Sequence, residues 1–82
     1  MLNIFKRKYK DEALANRAEQ SLLENPTLDI VNLDVQSEEG RVTLRGRASS
    51  QASKQRAVET VRRTLEATGL RFETIIDEIQ LQ

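Results

Sequence analysis

The chain has no cysteine, no histidine and no tryptophan, and only one proline and three glycines in 82 residues. Without cysteine there is neither a disulfide framework nor a thiolate metal site. Without histidine the commonest general base and the commonest metal ligand are both missing. The aromatic residues are Phe5, Tyr9 and Phe72 alone. A stacking platform for single-stranded nucleic acid therefore has almost nothing to be built from. No apolar run approaches the length of a transmembrane helix. A chain this short buries only about 60–65% of the surface its unfolded form exposes, which leaves little room for an internal pocket.

Charge of either sign is not in excess: thirteen basic and thirteen acidic residues cancel. The whole molecule is thus not a polycation seeking nucleic acid. Locally the balance fails. Lys6, Arg7, Lys8 and Lys10 all precede the first acid, Asp11, and follow the apolar Leu2, Ile4 and Phe5. A secretory signal has the reverse order, basic before apolar. If Met1 is the natural start, the expected location is cytoplasmic, with possible attachment at the periphery of the inner membrane. A periplasmic location is expected only if the chain is a trimmed piece of a longer one.

From Asp11 the pattern becomes regular. Leu14, Ala18 and Leu22 recur four apart, so residues 11–24 read as a helix with one apolar stripe, which Leu23 would widen. Asp11 and Glu12 stand at its start, where the helix dipole favours anions. Asn25-Pro26 ends it, because proline disfavours helical geometry in the residue before it. Val31, Leu33 and Val35 then alternate with polar residues, the period of a strand with one buried face. Ser37-Glu38-Glu39-Gly40 reads as a turn whose glycine accepts positive φ. Val42, Leu44 and Gly46 alternate with Arg41, Thr43, Arg45 and Arg47 as a second strand, completing a hairpin.

Ser49 or Ser50 can cap a second helix running to about Thr68. Ala57, Val61 and Leu65 form its stripe, with Ala52 as a candidate extension, and Gly69 supplies the stop. Phe72 to Leu81 is the third strand. Ile75, Ile79 and Leu81 share one parity, but Asp77 shares it too, which calls for a bulge or a sheet edge. The expected fold is α+β: a single αββαβ domain with two helices packed on one face of a three-stranded mixed sheet. Residues 1–10 form a basic and apolar N-terminal tail, and 11–82 the domain. The expected core is Leu14, Ala18, Leu22, Val35, Val42, Leu44, Ala57, Val61, Leu65, Ile75 and Ile79. Whether the third strand lies beside the first or the second stays open.

Particular residues resemble a known family, the BON domain of bacteria. They are Glu24-Asn25-Pro26-Thr27-Leu28, Leu33-Asp34-Val35, the glycine-bracketed strand Glu39-Gly40-Arg41-Val42-Thr43-Leu44-Arg45-Gly46, then Lys54, Arg56-Ala57 and Ile75-Ile76-Asp77-Glu78-Ile79. The resemblance spans roughly residues 11–82. It departs from the family pattern after Gly69, where Leu70 to Thr74 makes a longer connection. It implies a non-enzymatic module, often associated with the cell envelope, that binds phospholipid surfaces or partner proteins. The fold is also similar to ring-building domains of secretion machinery, which implies a homo-oligomer as the alternative. The match is one of core and turn residues, and no ligand-contact residue carries over from it.

The residues themselves offer no catalytic constellation and imply no cofactor. Glu38 and Glu39 are adjacent in a turn and do not form an acid–base pair. Asp29, Asn32, Asp34 and Gly40 lack the spacing of a calcium loop. Ser49 and Ser50 have no histidine partner and serve better as caps. The glycines at 40, 46 and 69 are isolated, so no phosphate-cradling loop exists. Arg41, Arg45 and Arg47 share one strand face. Either acids such as Asp34, Glu73 or Glu78 neutralise them, or the face binds anions.

Two candidate sites for an anionic phospholipid surface or another anion follow. Arg47, the amides of Ser49 and Ser50, and Lys54 cluster in sequence where a strand enters a helix, and helix N-termini attract phosphate. At the N-terminus Phe5, with Lys6, Arg7, Lys8 and Lys10, has the pattern of a segment touching an anionic membrane. The competing readings there are an unanchored tail, a backward extension of the first helix, or Phe5 packed on the core. A protein partner fits as well as a lipid surface, and nucleic acid does not.

Overall fold

The computed structural model describes residues 9–82. The elements are α1 (Asp11–Leu23), β1 (Ile30–Glu38), β2 (Arg41–Ala48), α2 (Gln51–Thr68) and β3 (Thr74–Leu81). This is the expected α+β arrangement. The sheet order is β1-β2-β3, with β1 antiparallel and β3 parallel to β2. Parallel neighbours need a long crossover, and α2 provides it.

Leu14, Ala18 and Leu22 of α1 meet Ala57, Val61 and Leu65 of α2 over Val42, Leu44, Ala48 and Ile79 of the sheet, and all are buried. Each large side chain buried in this way contributes about 1.5–3 kcal/mol. Val35 and Ile75, expected in the core, are half-buried and packed against its rim. Ala48 and Ser53 join the buried set.

Two expected helix positions are corrected. Leu23 is 69% exposed. At about 100° per residue it falls well past Leu22, away from the centre of the stripe. Ala52 is likewise exposed, and Ser53, one turn before Ala57, takes the buried position. Tyr9 and Lys10 are not part of the helix, since α1 begins at Asp11 with Lys10 as its N-cap.

The strand alternation also needs correction at one end. Val31 pairs with Arg47, Asp34 pairs with Arg45, and Asn32-Leu33 together face Gly46. This is a β-bulge, which shifts side-chain parity by one. Ile30 therefore turns to the core side and Val31 outward, where it is 45% exposed. Asn32 takes φ 57° at the bulge. Gly46 opposite has φ 153°, and a Cβ there would lie 3.0 Å from both Ile30 Cγ2 and the Val31 carbonyl oxygen. A side chain at that corner would crowd β1 and would be strained at this φ.

The hairpin turn is shorter than expected. β1 runs to Glu38, and Glu39-Gly40 alone make the reversal, with φ 51° and 82°. Positive φ at both central residues is the pattern of the tight turn that matches strand twist. β3 begins at Thr74, two residues later than expected. Asp77 is exposed, and its carboxylate accepts the Ile79 N–H at 3.0 Å. β3 is an edge strand. Gln82 donates its N–H to Ala48 at 2.9 Å, so by alternation Ile79 directs its N–H away from β2. The edge, and not a bulge in β3, accommodates Asp77.

Candidate functional site

The hairpin turn is clasped from both helix and strand. Its two N–H groups point outward with no strand partner, and the Asp11 carboxylate at the start of α1 takes both. It accepts from Glu39 N at 2.8 Å and Gly40 N at 2.9 Å, and also from Ser37 Oγ at 2.7 Å. The Tyr9 ring lies against Gly40, so closely that a Cβ there would be 2.6 Å from two ring carbons. The Tyr9 hydroxyl donates to the Glu73 carboxylate, and Glu73 donates its own N–H to the Gly40 carbonyl at 2.7 Å. The hydrogen bond to Glu73, aided by desolvation, holds the Tyr9 phenol above its ordinary pKa. Lys10 is exposed beside this knot. Phe5, Lys6, Arg7 and Lys8 lie outside the described residues.

The other sequence-predicted residues stand at the far end of β2. From Gly40 to Arg47 the strand covers about 23 Å at ~3.3 Å per residue. Ser50, and not Ser49, is the N-cap of α2: its Oγ accepts the Ser53 N–H at 3.1 Å and donates to Ser53 Oγ at 3.3 Å. Ser49 is exposed and Lys54 half-buried on the helix. Arg47 alternates with the core-facing Ala48 and so projects from the opposite side of the sheet to α2. The fold thus separates Arg47 from Lys54, which lie on opposite sides of the sheet.

Among the described residues no helix covers the outer sheet face. Its cross-strand rows are Glu38–Arg41–Thr74, Gln36–Thr43–Ile76, Asp34–Arg45–Glu78 and Val31–Arg47–Gln80. Arg45 Nε donates to Glu78 Oε1 at 2.8 Å, an exposed pair. That hydrogen bond, with the charges of Glu78 and Asp34, raises the Arg45 pKa further above its ordinary value. Arg41 faces Glu38 across the ladder. Only Arg47 has neutral neighbours on both sides. A shallow groove of about 550 Å³ opens here, lined by Asn32, Arg45, Gly46, Arg47, Glu78 and Gln80 among others. Phe72 packs against the core, so it offers no platform for a base.

Among the described residues no group of three or more histidine, cysteine or carboxylate side chains could hold a metal ion. No helix among them is long and apolar enough to cross a membrane. The knot of Tyr9, Asp11, Gly40 and Glu73 was not legible as a site, because its partners are far apart in sequence. The bulge had one faint signal, an asparagine and a glycine inside strands that face each other.

No curated protein matches the sequence. A family model for the BON domain matches residues 10–69, from the N-cap of α1 to the Gly69 stop of α2. The match covers the glycine-bracketed β2 and ends before β3. On that match, over most of its length, the chain belongs to the BON domain family, a family of binding modules.

Proposed function

We propose that this domain binds an anionic phospholipid surface through its N-terminal basic segment, Lys6, Arg7, Lys8 and Lys10, with Ile4 and Phe5 entering the headgroup boundary. The observation that carries the reading is the partition of charge. The first ten residues hold four of the thirteen basic side chains and none of the thirteen acidic ones. The folded remainder therefore has an excess of acid, and attraction to an anionic surface rests on that segment. The Tyr9 knot supports the reading, because it ties the root of the segment to one end of the sheet. Each basic residue near such a surface contributes about 1 kcal/mol. Burial of apolar side chains adds a few kcal/mol, and ordering of the segment opposes both at about 1–2 kcal/mol per residue. Binding by one copy is weak, reversible and salt-sensitive.

Self-assembly is a weaker reading on the β3 side. An inward-parity carboxylate on an edge strand is a device against strand addition, and Asp77 is such a residue. Co-sedimentation tests the membrane reading. The chain should pellet with anionic liposomes at low salt and not with neutral ones. Charge reversal of Lys6, Arg7, Lys8 and Lys10 should abolish pelleting without altering the circular dichroism. Undiminished binding by the reversed variant would sink the proposal.

A further inference from the structure

We infer that the groove at the β1 bulge is a receptor for one oxyanion, a phosphodiester or a carboxylate, held by Arg47. It involves none of the N-terminal basic residues, and it lies at the end of β2 away from the Tyr9–Gly40 contact.

Three observations carry this. First, Arg47 is the exposed cation of the outer face whose cross-strand neighbours, Val31 and Gln80, are neutral. Among the described residues it has neither an ion pair nor a side-chain hydrogen bond. A guanidinium presents a planar fork of donors that fits two oxygens at once. Second, the groove's other charges are set against each other. Arg45 is tied to Glu78 at 2.8 Å, so the lining carries one net positive charge. Third, the backbone here is specialised. The bulge puts Asn32 into a left-handed conformation, and a Cβ on Gly46 opposite would crowd Ile30 and the Val31 carbonyl. Bulges of this kind re-aim side chains next to binding sites. Asn32 and Gln80, both in the lining, carry side-chain amides that can donate to the same ligand.

The experiment is a ¹H–¹⁵N NMR titration of the whole chain with dimethyl phosphate, with acetate, and with sulfate as the dianion. Dimethyl phosphate or acetate should shift the Asn32, Gly46, Arg47 and Gln80 amides saturably. The tighter of the two names the source of the anion, a diester headgroup or a carboxylate-bearing chain. Sulfate, of twice the charge, should shift the same four amides. R47Q should weaken binding at least about tenfold, the worth of a charge-assisted hydrogen bond, while its spectrum stays folded. E78Q, which removes a negative charge from the lining and frees Arg45, should strengthen all three anions. Shifts that never saturate, that persist unchanged in R47Q, or that centre on Gln51 to Ser53 at the start of α2 would overturn the assignment.

Discussion

The Tyr9 hydroxyl donates a hydrogen bond to the carboxylate of Glu73, 64 positions further along the chain. Tyr9 is the sole tyrosine and there is no tryptophan, so its ionisation can be followed by ultraviolet absorbance without interference. The native phenol should titrate above the unfolded value of about 10, because Glu73 accepts its proton and then repels the phenolate. The raised pKa gives a contribution to stability that is complete below the unfolded pKa. It is lost as pH rises through the folded one. Glu73→Gln should bring the midpoint down towards the unfolded value. An unchanged midpoint would show that the contact does not persist in solution.

Gly40 and Gly69 give a matched pair. Both have φ near 80°, but a Cβ at Gly40 meets the Tyr9 ring at 2.6 Å and one at Gly69 meets nothing within 4 Å. Gly69→Ala should cost about 1–2 kcal/mol, the left-handed penalty alone. Gly40→Ala should cost clearly more and should release Tyr9, visible as loss of its raised pKa. Equal costs in denaturant melts would contradict the packing at the turn.

Asp11→Ala removes the acceptor of two turn N–H groups and one hydroxyl. Hydrogen bonds to a charged acceptor contribute about 1.5–3 kcal/mol each when buried. This site is half-exposed, so a total loss of about 1–3 kcal/mol is expected in urea unfolding. Amide exchange at Glu39 and Gly40 should accelerate. Unchanged protection of both amides would count against the clasp.

Leu44→Ala and Val31→Ala test the register across the bulge. Leu44 is fully buried and should cost about 2–5 kcal/mol. Val31, turned outward, should stay within about 0.5 kcal/mol. A cost above 1.5 kcal/mol for Val31, roughly half a buried side chain, would mean that strand parity runs unbroken through β1.

Asp77→Val removes the carboxylate that occupies the free Ile79 N–H on the β3 edge. The variant should associate with rising concentration in light scattering while the parent does so less. Equal behaviour at all concentrations would show that Asp77 does not guard the edge.

The helices and strands were legible because each buries one face, and burial imposes its own period on sequence. Leu14, Ala18 and Leu22 mark α1, Ala57, Val61 and Leu65 mark α2, and Val42 and Leu44 mark β2 without any knowledge of their neighbours. The glycine-bracketed strand was enough to point to the family. Errors fell where one residue breaks the period. Strict alternation predicts Val31 inward, and a bulge is a pairing event, visible only when Gly46 is known to stand opposite Asn32 and Leu33.

The sequence by itself determined the α+β class, the element order, most of the core and the concentration of basic charge in the first ten residues. These depend on local period and on composition. Tertiary structure decided that β3 lies beside β2, that Asp77 sits on an edge, and that Tyr9, Asp11 and Glu73 converge on one turn. It also decided that Arg47 and Lys54, seven residues apart, lie on opposite sides of the sheet. A strand sends successive side chains to opposite faces, and α2 packs against only one of them. Proximity in sequence therefore could not reveal which charges share a surface.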